Sequence, residues 1–431
     1  MAAVVSLCVS LCSAHAERSQ RRDYGRLTDA ALASIAGASD PAKYLDVNNP
    51  DSLLSRILIP RPPDTENSRK VQKAILDVFR NELGGSSDDS SSFKIDWTKS
   101  NGKLGWHIDT HTFETDTPEG KKKMTNLILT KNPSAPRKFV VAAHYDSKFF
   151  TQGSGMSGFV GATDSAAPCA MMVDLAVALD DALDARERRL HANQQSAPTR
   201  AQETTLQLVF FDGEEAYRTW THTDSIYGSR ELANLWTNSF WDPATFDAPG
   251  DDAPSSEAKR LQTRRYRSSY TPVKHMNTIE HMVLLDLLGA PNPTVPSYFE
   301  STKWLHEAMT DAESRLRTAN LLWPASSSST AGKRSFFTPH KAWGGIEDDH
   351  LPFLHSGVHV LHVIPSPFPL VWHKMSDDRT ALDYPTMYAW CMILRLTVAE
   401  YLGLDIPSAK RHKAKVRHSD TRFTAMKPLQ F

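Results

Sequence analysis

Leu206-Gln-Leu-Val-Phe-Phe211 runs without a charge into Asp212-Gly213-Glu214-Glu215, and the change takes place within one residue. A short run bounded by such a break reads as a strand buried on both faces. The same transition recurs where Phe139-Val-Val-Ala-Ala143 meets His144-Tyr-Asp-Ser147, where 282–285 meets Asp286, and where 358–364 meets Pro365. Helical segments separate or follow these runs, notably 166–179 and 387–402. Together they predict an α/β architecture with a largely parallel sheet covered by helices on both faces. Ligands of such sheets sit beyond the carboxyl ends of the strands, which is where the polar residues cluster here.

Composition excludes several function classes. Lys and Arg number 49 against 50 Asp and Glu, a net charge of −1, so the chain is not built to hold nucleic acid or an anionic membrane. No apolar run reaches the roughly 18 residues of a membrane span, so no stable membrane anchor is expected. The N-terminus departs from this pattern. Residues 2–11 are apolar and Ala14-His15-Ala16 offers a small-x-small cleavage site, so 1–16 reads as a signal peptide and the mature chain as secreted. Its removal takes Cys8 and Cys12 and leaves Cys169 and Cys391, too few for a disulfide framework or a thiolate zinc site. No Asn-x-Ser/Thr glycosylation sequon is present.

Residues 17–408 read as the working domain. It opens with amphipathic helices at 27–36 and 68–83, and polar stretches at 84–92, 183–205 and 248–267 read as a surface linker and loop insertions. Residues 409–431 form a basic tail, carrying Lys410, Arg411, Lys413, Lys415, Arg417, Arg422 and Lys427, which reads as solvated and mobile.

Five potential metal ligands stand at strand ends or at a helix start: His144, Asp164, Glu215, Asp286 and His373. Oxygen and imidazole donors of this kind suit zinc. Each alone has a plainer explanation as a cap or a surface residue; their recurrence at strand ends points to a site. In Glu214-Glu215, neighbouring side chains of an irregular backbone point in different directions, so one carboxylate can bind a metal while the other faces the reacting atoms.

Longer motifs carry a resemblance. Phe159-Val-Gly-Ala-Thr-Asp164-Ser-Ala-Ala-Pro-Cys169-Ala, Phe210-Phe-Asp-Gly-Glu-Glu215-Ala, Asp224-Ser-Ile-Tyr-Gly-Ser-Arg230, Leu285-Asp-Leu-Leu-Gly-Ala-Pro-Asn-Pro293, Asp348-Asp-His-Leu-Pro-Phe353 and Ile364-Pro-Ser-Pro-Phe-Pro-Leu-Val-Trp-His373 resemble the glutaminyl-peptide cyclotransferases, or glutaminyl cyclases. The resemblance implies a single α/β domain around a twisted mixed sheet, shared with the zinc aminopeptidases. It implies one zinc per chain on Asp164, Glu215 and His373. Glu214 is then the proton carrier, with Asp286 and Asp348 as hydrogen-bonded carboxylates beside it, Trp220, Phe368 and Trp372 lining the pocket, and His362 behind it near Asp348. The implied substrates are peptides or proteins with an N-terminal glutamine, which cyclises to pyroglutamate with release of ammonia.

One departure concerns the cysteine that usually precedes His-Tyr-Asp-Ser in that family and bridges to position 169. Ala143 stands there, so Cys169 is expected as a free thiol unless Cys391 reaches it. A secreted two-zinc aminopeptidase is the competing reading, because His144 and Asp286 stand where that related family places the ligands of a second metal. A secreted binding protein on an inactive hydrolase fold would require lost chemistry, whereas every expected carboxylate and His373 is present.

Overall fold

The four anticipated buried strands lie side by side in one sheet, three of them inside it and the one at 358–364 at its edge. A computed structural model describes residues 25–86, 103–192, 199–241, 273–325, 334–342 and 344–407. The signal segment, the tail from 409, the 248–267 stretch and most of the 84–92 linker lie outside the described residues. The chain runs α1 (Asp29–Ala36), α2 (Ala42–Leu45), α3 (Leu53–Ile57), α4 (Glu66–Glu82), β1 (His107–Thr117), β2 (Gly120–Thr130), β3 (Arg137–His144), α5 (Ala167–Ala192), β4 (Thr204–Phe211) and α6 (Tyr227–Asn238). It continues through β5 (Phe240–Trp241), β6 (Val273–Lys274), β7 (Ile279–Leu285), β8 (Val295–Ser297), α7 (Lys303–Thr318), β9 (Phe337–Lys341), α8 (Leu351–His355), β10 (Val360–Val363) and α9 (Tyr384–Tyr401).

The main sheet has the order β1-β2-β4-β3-β7-β10. Pairing is parallel from β4 through β3 and β7 to β10, and antiparallel where β2 meets β1 and β4, giving a mixed, largely parallel sheet. Alternation along β3 explains why 139–143 is apolar throughout: Phe139, Val141 and Ala143 pack against α4, α5, α7 and α9, while Val140 and Ala142 pack against α6 and α8. Helices therefore cover both faces. Among the described residues, no helix is long and apolar enough to cross a membrane.

One expectation needs correction. The stretch 183–205 is not wholly a loop insertion, because α5 continues to Ala192. Its polar residues turn inward and find partners: Asp184 accepts from the backbone N–H of Leu104 at 3.0 Å and pairs with Lys131, and Glu187 accepts from Asn132 at 2.7 Å. The hairpin of β1 and β2, at the sheet's edge, was not legible. Only part of it is buried, and its outer end sets Asp116 opposite Lys121 and Glu114 opposite Lys123. Cys169 and Cys391 are both buried and free, as expected from Ala143.

One buried ion pair ties the helical layer together. Arg395 of α9 donates from Nε to Asp174 of α5 at 2.9 Å, with both side chains fully buried, and its Nη1 reaches the carbonyls of Ile35 and Ala36 at 3.3 and 3.2 Å. The guanidinium thereby helps close the C-terminal carbonyls of α1, adding to the Ala38 N–H that Ile35 accepts at 3.3 Å. Removing one partner strands a buried charge, so Arg395→Met should cost about 3–5 kcal/mol in denaturant unfolding, and the double variant with Asp174→Leu should recover most of that loss. Equal stability of Arg395→Met and the parent would contradict this account.

Candidate metal and catalytic site

Parallel register gathers the polar strand ends. His144 at the end of β3 stands level with Phe211 at the end of β4, and Ala142 stands level with Leu284 of β7, so Asp286 emerges beside His144. Beyond β4 the chain turns at Gly213, whose φ of 71° favours glycine and where a Cβ would lie 2.5 Å from Met124 Sδ. Asp146 then grips the next two residues, accepting from the backbone N–H of Glu214 at 3.1 Å and of Glu215 at 3.3 Å. Both carboxylates are thus delivered on a fixed backbone.

Asp164 arrives from the kinked turn Ala162–Ala166 that leads into α5. Thr163 holds this turn in place, donating from its backbone N–H and its hydroxyl to Asp377 Oδ1, each at 2.9 Å. One Asp164 oxygen meets His144 Nε2 at 2.9 Å; the other lies 3.4 Å from His373 Nε2. Glu215 Oε1 lies 3.3 Å from the same His373 nitrogen.

Ligand atoms of Asp164, Glu215 and His373 fall within 4.8 Å of one another. Donors at roughly 2.0–2.1 Å from a tetrahedral zinc stand about 3.3 Å apart, which matches the two His373 spacings. Glu215 Oε1 is buried and has no hydrogen-bond partner, as an oxygen reserved for a cation would be. The residues therefore fit a zinc ion.

The other two groups that could hold a metal are closed by internal hydrogen bonds: His144 to Asp164, and His362 to Asp348 at 2.7 Å. Burial alone would lower the pKa of His373, but the neighbouring carboxylates of Asp164 and Glu215 raise it to about 9, so a proton occupies this nitrogen when no metal does.

Glu214 points elsewhere and is buried. Burial pushes its carboxyl well above the usual range, with Glu215, Asp348 and Asp349 adding to the effect and His144 opposing it. Burial likewise raises Asp286 to about 6, against a hydrogen bond from His144. Asp286 is not held by Glu214 or Asp348: its Oδ1 accepts from the Ser165 hydroxyl and lies 3.5 Å from His144 Nε2. Asp348 accepts from His362, as expected, and the pair depresses its carboxyl despite burial.

The aromatic residues fall into two separate sets of contacts. Trp372 stacks on His373 with ring centroids 4.1 Å apart, and Phe368 meets Trp372 edge-on at 5.0 Å. Trp220 donates its indole N–H to Glu347 at 2.9 Å, which places it against the segment that carries Asp348. Three participants escaped notice in the sequence: Asp146, Ser165 and Lys148, whose Nζ lies 3.2 Å from Glu215 Oε2. All three sit within two residues of a predicted ligand or, for Lys148, just beyond the end of β3, and that proximity was the available signal.

Residues 126–398 match the model of peptidase family M28. The glutaminyl-peptide cyclotransferase of Bothrops jararaca is 39% identical over 302 residues, covering 70% of this chain and 72% of the relative. The glutaminyl-peptide cyclotransferase-like protein of Mus musculus is 35% identical over 393 residues, covering 90% and 84%. The crystal structure of Macrostomum lignano glutaminyl cyclase superposes with a TM-score of 0.65 at 29% identity, over 89% of this chain and 96% of that one.

Because a proton must leave His373 before a metal can bind, zinc uptake should weaken by about tenfold for each pH unit below about 9, and His373→Ala should lose both this dependence and most bound zinc after dialysis. Chelator competition across pH measures it; unchanged zinc content in the variant would remove His373 from the site.

Proposed function

The chain belongs to the glutaminyl-peptide cyclotransferases within peptidase family M28, and from that membership we propose that it cyclises the N-terminal glutamine of peptides and proteins to pyroglutamate, releasing ammonia. The observation that carries this reading is the division of labour in Glu214-Glu215, one carboxylate facing Asp164 and His373 and the other buried with a raised pKa.

Asp164, Glu215 and His373 would hold one zinc per chain, which when bound polarises the γ-carbonyl of the substrate glutamine as a Lewis acid. Glu214 accepts a proton from the α-amine as that nitrogen bonds to the γ-carbon, and passes it to the amide nitrogen that leaves as ammonia. A carboxylate kept above its ordinary pKa is suited to both transfers, because it neither binds the proton too weakly nor, beside a dication, too firmly. Asp348 and Asp349 add buried negative charge that favours its protonated state between the two steps, while Asp286 stands beside His144 on the Ser165 hydroxyl. Trp372 and Phe368, with Trp220 on the other side, form walls that hold the glutamine folded on itself and keep water from competing with the amine.

Residues 1–16 act as the signal peptide in this reading, 17–408 as the catalytic domain and 409–431 as a tail, and the enzyme is secreted. The hydrogen bond from His144 to Asp164 supports one metal rather than two, since a second ion would need that nitrogen.

Glu214→Gln should keep fold and zinc and lose activity by about 10²- to 10⁴-fold. Since a base works only when deprotonated and burial raises Glu214, the parent's kcat/KM should rise with pH through an acid limb lying above the ordinary glutamate range, and the variant should lack that limb. Near-normal turnover in the variant would remove Glu214 from its role. Metal analysis of the purified enzyme should find one zinc per chain, with ammonia released from a Gln-initiated peptide and no hydrolysis of leucine amide. Two zincs with leucine release and no ammonia would establish an aminopeptidase instead.

A further inference from the structure

Lys148 stands apart from the residues assigned above. It lies in the loop that follows β3, and its Nζ donates to Glu215 Oε2 at 3.2 Å and to the carbonyl of Ala216 at 3.0 Å. Its side chain is 16% exposed and that of Glu215 2%, so the pair is shielded from the solvent screening that makes surface ion pairs weak. The two oxygens of Glu215 are therefore treated differently: Oε2 is held by an ammonium, while Oε1 is buried, without a hydrogen-bond partner, and faces Asp164 and His373.

We propose that Lys148 is a positioning residue that restricts Glu215 to one metal-binding oxygen and weakens it as a donor. The inference rests on the zinc site put forward under the proposed function. Two carboxylates and an imidazole just balance the charge of a divalent ion; the ammonium adds one positive charge beside them. It draws electron density from Glu215 and so leaves the metal a stronger Lewis acid. By occupying Oε2 it also prevents the carboxylate from swinging into two-oxygen coordination, which would fill the position the substrate carbonyl needs. Loss of Lys148 thus has a signature opposite to that of damage: the metal is bound more tightly and works less well.

The test uses the zinc enzyme and its cobalt(II)-substituted form with Lys148→Met, Lys148→Gln and Lys148→Arg. Chelator competition should show zinc held about tenfold more tightly in Lys148→Met, since a repelling charge has gone. The visible cobalt absorption should weaken as four-coordination gives way to five. Turnover should fall in kcat with KM little changed. Lys148→Gln, which keeps a donor without charge, should bind zinc more tightly while keeping the four-coordinate spectrum; Lys148→Arg should return zinc affinity toward the parent value.

If zinc affinity in folded Lys148→Met and Lys148→Gln equals or falls below that of the parent, with an unchanged cobalt spectrum, the proposal is overturned. Both readouts are independent of the reaction catalysed. A parent enzyme that releases no ammonia from a Gln-initiated peptide would refute the proposed activity and leave this inference to be decided by metal binding alone.

Discussion

The carboxylate of Asp146 fixes the centre of the molecule. It accepts from two consecutive backbone N–H groups at the end of one strand while its own strand supplies His144 two residues earlier. Joining the ends of β3 and β4 in this way leaves Glu214 and Glu215 little backbone freedom. Adjacent residues on a fixed backbone must send their side chains apart, and that divergence separates metal binding from proton transfer. The parallel sheet brings these ends together, and the two helical layers hold the sheet.

Electrostatically, the site is a crowd of carboxylates with few cations among them. Asp164, Glu214, Glu215, Asp286 and Asp348 are all buried, against His144, His362, Lys148 and the half-buried His373. Such a set departs from ordinary protonation in both directions: Asp164 and Asp348, hydrogen-bonded to histidines, are held down, while Glu214 and Asp286 are pushed up. Opposed shifts among neighbouring acids distinguish a group that stays ionised from one that exchanges protons.

Much of this was legible in the amino-acid order, and what was not has physical reasons. Strands buried on both faces announce themselves by unbroken apolar runs, so β3, β4, β7 and β10 could be read directly, and with them the strand ends that carry the site. β1 hides its nature: His107-Ile-Asp-Thr-His-Thr-Phe-Glu-Thr-Asp-Thr117 is largely polar because an edge strand of a hairpin meets solvent. The end of α5 from 183 looked like a solvated insertion because its acids Asp184 and Glu187 are paired within the core, with Lys131, Leu104 and Asn132 from distant segments. At the site, Asp164, Glu215 and His373 stood in long recognisable motifs. Lys148 and Ser165 did not declare themselves, because their importance lies in contacts across 67 and 121 residues of sequence.

The charged hairpin also guards the sheet against self-association. A sheet that ends in an open strand offers unpaired backbone groups to any neighbouring chain, the geometry from which fibrils grow. Here the outermost pair of strands carries Lys121, Lys122 and Lys123 against Glu114 and Asp116, so their opposite charges satisfy one another within the hairpin. A second molecule adding to that edge would have to bring its own ladder of like charges into register and strip it of water. The apolar strands β3, β4 and β7 lie inboard of this fence, with β10 at the opposite edge, so on the hairpin side protection falls to the least buried part of the sheet.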